Sequence, residues 1–144
     1  MIDLNEIQSM WEKDSKIDRD NLHEESLNIP VLHAKYHDLY NNLILLRKKA
    51  EQQRKNIRHS RYEYFSGKAD PEVYTLNPYP KKIRDKDTMN KYLDADEKLS
   101  NASLKIDYYD TMLEYLESIL KQITNRTYQI KNALEFMRFS AGLG

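Results

Sequence analysis

Cysteine is absent from the 144 residues, which excludes a disulfide framework, a thiol nucleophile and a zinc–thiolate site. Glycine is nearly absent too, with Gly67, Gly142 and Gly144 the three present. One interior glycine cannot build the Gly-rich phosphate cradle of a P-loop or the fingerprint of a dinucleotide site. The four prolines (Pro30, Pro71, Pro78, Pro80) all precede residue 81, so helix breakers crowd into a few places. No apolar run approaches the roughly 18 residues of a membrane-spanning helix. The first residues, Met1-Ile-Asp-Leu-Asn-Glu6, are acidic rather than the basic start of a signal peptide. Neither sign of charge dominates, since 23 Lys+Arg balance 23 Asp+Glu. These absences predict an intracellular, soluble protein that is not an enzyme and has no metal or cofactor. The glycosylation-type triplets at Asn101 and Asn125 are then chance matches.

The residues that are present describe helices. Apolar residues make up 40% and charged residues 32% of the chain, the balance of long amphipathic helices with much solvated surface. Residues 1–28 hold eight acids against three bases, a net of −5. Leu4, Ile7 and Trp11 recur there at helical spacing and predict a short helix over about residues 3–14. Asp18 is a candidate cap for a second short piece. Pro30 suits the first turn of a helix, and from Leu32 a seam steps by fours and threes through Tyr36, Leu39, Leu43, Leu46, Ala50, Gln53, Ile57, Ser60 and Tyr64 to a stop at Gly67. A helix of this length, roughly 54 Å, needs a partner along it. After a loop holding the remaining prolines, a second seam supplies one: Tyr92, Ala95, Leu99, Ala102, Ile106, Tyr109, Leu113, Leu116, Leu120, Ile123, Ile130, Leu134 and Met137. Asp85, Asp87 and Thr88 are candidate caps for its start, and Thr124-Asn125-Arg126 leaves open whether it is one helix or two.

The predicted fold is all-α: a long antiparallel helical hairpin with short N-terminal helices, one domain overall. Its parts are an acidic helical segment (1–28), a long basic helix (29–66), a Pro-containing loop (67–84) and a long C-terminal helical region (85–144). Leu113, Leu116, Leu120, Ile123, Ile130, Leu134, Phe136 and Met137, with Ile119 and Phe139 beside them, offer more apolar surface than one hairpin covers. That surplus predicts homo-oligomerisation through the C-terminal third.

The most informative stretch is Arg47 to Lys68, with eight Lys or Arg against Glu51 and Glu63, a net of +6. Arg47, Arg54, Arg58 and Arg61 fall within about a 60° sector of a helix, with Lys48, Lys55 and Tyr62 in the adjoining stripe. Cations repeated along a helix meet successive phosphates and release their counterions. Tyr62, Tyr64 and Phe65 end the row, and a flat ring stacks on any base without reading sequence. The competing reading is a solvated charged face on a structural coiled coil, an assembly or scaffolding component that does not bind DNA, its basic stripe paired with the acidic N-terminus. His33 and His37, at i and i+4, lack a further strong ligand and read as surface histidines rather than a zinc pair. Asp94/Asp96 and Glu114/Glu117 read as solvated helix positions.

The segment from Lys55 to Asp70, Lys-Asn-Ile-Arg-His-Ser-Arg-Tyr-Glu-Tyr-Phe-Ser-Gly-Lys-Ala-Asp, resembles the UvsY-type recombination mediators of T-even-type phages. That family carries a basic Leu-Lys-Ala-Arg-Leu helix motif followed by acid-aromatic-aromatic-Ser-Gly. Trp11-Glu-Lys-Asp-Ser-Lys-Ile-Asp18, Leu93-Asp-Ala-Asp96 and the ending Ile130-Lys-Asn…Met137-Arg-Phe…Ala141-Gly142 are similar to further family segments in the same order. Carried across, the family's DNA-contacting lysine falls at His59 and its arginine at Arg61. Histidine there is a departure that gives up charge near neutral pH, and Arg58 offers a cation beside it. Together with the basic stripe, the resemblance predicts single-stranded-DNA contacts at Arg54, Lys55, Arg58 and Arg61, with His59, Tyr62 and Lys68 as secondary contacts. It also implies a hexameric or heptameric ring held by the C-terminal region. The partners it implies are single-stranded DNA, the phage single-stranded-DNA-binding protein and a RecA-like, UvsX-type recombinase, in the cytoplasm of the infected bacterial host, with no membrane.

Overall fold

The structure, a computed structural model, describes residues 2–78 and 82–143. Among the described residues six helices follow in order: α1 (Leu4–Asp14), α2 (Leu22–Leu27), α3 (Ile29–Ser66), α4 (Pro71–Leu76), α5 (Lys86–Ala95) and α6 (Glu97–Ser140). The described residues contain no strand. The chain divides into two compact units, residues 1–44 with 111–144, and residues 45–110. Both α3 and α6 contribute to each.

In the first unit, α1 begins where the Asp3 carboxylate accepts the Glu6 N–H at 2.8 Å, satisfying a donor that the first turn leaves free. Asp18 caps no helix: its carboxylate closes a local turn on Asp20 N and Asn21 Nδ2, and α2 starts after Asn21. The interior is filled by Ile7, Leu22, Leu32, Tyr36 and Leu43 against Met112, Leu113, Leu116, Ile119, Ile123 and Ile130. Tyr36 carries the polar end of this core. Its ring meets Trp11 edge-on at 5.5 Å and its hydroxyl donates to Asp14 Oδ2 at 2.8 Å, the same oxygen that takes Lys35 Nζ at 2.6 Å.

These contacts make the stability of the unit depend on pH. Burial pushes the Asp14 carboxyl up, but the hydrogen bonds from Lys35 and Tyr36 outweigh it and hold the group below the ordinary carboxylate value. Burial, then the bond to Asp14, pushes the Tyr36 hydroxyl well above the ordinary phenol value. A lowered acid contributes stability above its unfolded pKa of about 3.9 and loses it as pH falls further. A raised tyrosine contributes below about 10 and loses its share as pH rises through the folded value. Tyr36→Phe is therefore expected to cost about 1.5–3 kcal/mol at neutral pH, the worth of a hydrogen bond to a charged group. It should also flatten the decline in stability above pH about 10. Denaturant titrations across pH measure both; an alkaline decline identical to wild type would remove Tyr36 as its cause.

In the second unit α3 and α6 run antiparallel, with Arg47 paired to Asp110 and, further along α3, Arg61 paired to Asp96. Ala50, Ile106 and Tyr109 are buried along this stretch. At its far end Tyr64, Phe65, Ile83, Met89 and Leu93 form a second core, with Tyr74 and Leu99 against it. Helix α3 stops at Gly67, whose φ of +80° only glycine adopts freely. Lys68 N–H donates to Glu63 O and Gly67 N–H to Tyr64 O, closing the orphan carbonyls in a Schellman arrangement.

Helix α4 occupies part of the segment expected to be loop: Pro71 sits in its first turn, and the Tyr74 hydroxyl donates to Tyr64 O at 2.8 Å. Tyr79, Pro80 and Lys81 of that expected loop lie outside the described residues. Of the three cap candidates, Asp85 caps α5 by accepting Thr88 N–H at 2.9 Å. The C-terminal region is interrupted at Asp96, not at 124–126. The Asp96 backbone is extended and its Oδ2 accepts Leu99 N–H at 2.9 Å, so one residue ends α5 and caps α6. Helix α6 runs unbroken through Thr124, whose hydroxyl bonds back to Leu120 O.

Candidate nucleic-acid interface

The second unit holds the cationic stretch of α3, and the structure sorts its side chains into three groups. Arg47 is held by Asp110 and, at 3.4 Å, by Glu51. Arg61 points inward: its Nε meets Asp96 Oδ1 at 2.7 Å, and the two side chains are 20% and 6% exposed. The Arg61 guanidinium also lies over the Tyr64 and Phe65 rings, 4.5 and 4.9 Å from their centres. Arg54 stands between these and the open face, 3.8 Å from Glu51 and partly exposed.

Lys55, Arg58, His59, Tyr62 and Lys68 form the third group, all exposed. Lys55 and Arg58 pair with no described carboxylate, and His59 has only Glu63 nearby, at 3.9 Å. Lys55, Arg58, His59 and Tyr62 fall within about 100° of helix circumference, and Tyr62 is 41% exposed. This face can hold a row of phosphates and offer one ring to a base.

Two expectations change. Tyr64 and Phe65 are buried in the core with Ile83, Met89 and Leu93 and offer no face for stacking, which leaves Tyr62 alone. Asp96 is no solvated helix position: it is buried because it serves both Arg61 and the start of α6. Nothing in the sequence marked the arginine partner of Asp96, which lies 35 residues earlier.

The residues expected to join subunits are split as well. Leu113, Leu116, Ile123 and Ile130 are buried, and Leu120 half-buried, within their own unit. Leu134, Phe136 and Met137 are exposed, Phe136 by 70%, as are Phe139 and Leu143. An apolar end of α6 is thus left uncovered.

Arg126 escaped the sequence reading. Its side chain is 3% exposed in the first unit and donates to Asp14 O and Lys16 O, both at 2.9 Å, and to Glu25 Oε2 at 3.3 Å. The guanidinium thereby satisfies the carbonyl of the last residue of α1 and one just beyond it, where the helix has no further N–H to offer. Among the described residues there is no group of three or more His, Cys, Asp or Glu placed to hold a metal. No helix among them is long and apolar enough to cross a membrane.

The described residues form an all-helical protein that carries an outward row of cations ending in one exposed ring, and an uncovered apolar helix end. The family model for "Recombination, repair and ssDNA binding protein UvsY" matches residues 10–143, and the chain belongs to that family. It is 25% identical over 139 residues to the recombination protein uvsY of Enterobacteria phage T4, covering 96% of this chain and 98% of that one. Its fold is similar to crystal structures of the bacteriophage T4 recombination mediator protein UvsY. In one lattice the TM-score is 0.83 at 23% identity, over 98% of this chain and 99% of that one. In another it is 0.82 at 22% identity, over 96% and 99%.

Proposed function

We propose that the chain is a recombination mediator that binds single-stranded DNA through the open face of α3. In this reading it assembles into a hexameric or heptameric ring and helps load a RecA-like recombinase onto strands coated by single-stranded-DNA-binding protein. It does so without catalysis, in the cytoplasm of the infected bacterial host. The observation that carries the proposal is the exposed, unpaired set Lys55 and Arg58 with Tyr62 one turn on, at the segment that resembles the family's DNA-contacting motif. His59 and Lys68 extend the set, and Arg54 flanks it. Arg61 positions Asp96 and the end of the helix. Leu134, Phe136 and Met137, with Phe139, are the surface that supports assembly, because they alone of the expected contacts remain open. Repeating the basic face around a ring turns modest contacts into an avid grip.

The scaffold alternative needs the acidic N-terminus to neutralise the stripe. Asp14 and Glu25 are instead committed to Lys35 and Arg126 within the first unit, and the acids that meet stripe arginines are Glu51, Asp96 and Asp110. Fluorescence anisotropy with labelled oligo-dT across a salt series tests the proposal. Each phosphate contact contributes about 0.7 to the slope of log K against log salt for single strands. Lys55→Gln with Arg58→Gln should therefore make the slope shallower by about 1.4, with the assembly seen by sedimentation unchanged. Binding and slope equal to wild type would make the stripe mere surface.

A further inference from the structure

The exposed face of α3 does not end at α3. Arg58 and Tyr62 form one side of a groove of about 320 Å³ whose other side is Arg84, Asp85, Lys86 and Asn90 at the start of α5, over Met89. That volume lies at the lower end of ligand clefts, about 300–1,000 Å³. Three cations from two separate elements thus converge on one concave site, against one carboxylate. The Asp85 carboxylate is turned to the helix it caps, its Oδ2 engaged by Thr88 N–H at 2.9 Å. The groove is built rigidly. Ile83 is buried and its N–H donates to Phe65 O at 3.0 Å, which ties the chain just before Arg84 to the last turn of α3. Met89 belongs to the buried core beneath.

We propose that this groove seats one nucleotide of a bound single strand, with Arg84 and Lys86 joining Arg58 on consecutive phosphates and the base lying on the Tyr62 ring, within reach of the Asn90 amide. A solvated charged surface offers cations alone, whereas this site adds a half-exposed ring and an amide that presents both a donor and an acceptor. A base has use for both; a bare polyanion has use for neither. Arg84 and Lys86 flank the cap of α5, whose N-terminal N–H groups further favour an anion there. The path of the strand then leaves α3 at Tyr62 and crosses to α5.

This proposal rests on the strand-binding reading, and the test separates the two. Arg84→Gln with Lys86→Gln, Tyr62→Ala and Lys55→Gln with Arg58→Gln are each titrated with labelled oligo-dT and with an abasic strand of equal length, over a salt series. Each variant is first checked for wild-type helicity and melting. The Arg84/Lys86 pair should make the slope shallower by about 1.4. Tyr62→Ala should weaken oligo-dT binding about 5- to 150-fold, the range of one lost stacking contact, leave the slope as it was, and bring the affinities for the two strands together. A wild-type slope in the Arg84/Lys86 pair, while the Lys55/Arg58 pair loses its own, overturns the groove and leaves strand binding by α3 standing. A dT-to-abasic preference untouched by Tyr62→Ala also overturns it, leaving the groove a phosphate contact at most. Absence of any strand binding by the wild-type protein overturns both readings.

Discussion

Arg126→Met is expected to destabilise the first unit by about 3–5 kcal/mol, the cost of removing one partner from a buried charged cluster. At the size of this chain that corresponds to a fall in melting temperature on the order of 10 °C. Methionine keeps the aliphatic stem and deletes only the guanidinium, so the loss reports the polar contacts. Three acceptors are left behind: Asp14 O, Lys16 O and Glu25 Oε2. Two of them are part-buried backbone carbonyls, one on the last residue of α1 and one two residues beyond it, and a buried acceptor left unpaired costs about 1–3 kcal/mol. Glu25 is the more forgiving partner, since its side chain retains some exposure and can turn to water. Arg126 Nε is itself buried without a partner, so the cluster is not fully satisfied even in the native chain. The damage should therefore be local before it is global. Hydrogen exchange should rise first in α1 and α2, and far-UV circular dichroism should show the lower midpoint. Adding Glu25→Gln should recover part of the loss if the unpaired carboxylate matters. A melting temperature within a degree or two of wild type would mean that water takes over the role of Arg126.

The same residue shows how far the sequence could be read. The all-helical class was legible because Leu4, Ile7 and Trp11, and the long seams from Leu32 and from Tyr92, repeat at helical spacing with few breakers between them. The caps at Asp85 and the stop at Gly67 followed from chemistry that acts over four residues. What acts over longer separations was not legible. Thr124-Asn125-Arg126 looks like a weak point by propensity, yet Thr124 bonds back within the helix and Arg126 turns into the core. Asp96 looks like one more solvated acid until Arg61 is placed against it. A seam stepping by threes and fours says that a partner exists but not whose it is. Leu113, Leu116, Ile123 and Ile130 found theirs within the chain, while Leu134, Phe136 and Met137 did not. The cations Arg84 and Lys86 lay in and beside a segment read as loop, and only folding brought them opposite Arg58 and Tyr62.

Arg61→Ala is expected to lower both stability and strand affinity, and the second loss should be a consequence of the first. The substitution strips the partner from a carboxylate that is 6% exposed and removes the guanidinium from the faces of Tyr64 and Phe65. Leaving that carboxylate unpaired costs about 3–5 kcal/mol, offset in part because Asp96 still accepts Leu99 N–H. Loosening the end of α3 there unsettles the turn that presents Tyr62. The decisive variant is Arg61→Ala with Asp96→Asn. Asparagine is as good a helix cap as aspartate and carries no charge to strand, so the pair should regain most of the lost stability. If Arg61 acts by positioning, the double variant should also regain oligo-dT affinity with the wild-type salt slope. Had Arg61 left Asp96 to grip a phosphate in the complex, stability would return but the slope would stay shallower by about 0.7. Thermal melting and the salt series, run on the same samples, therefore distinguish a residue that holds the site in shape from one that touches the strand.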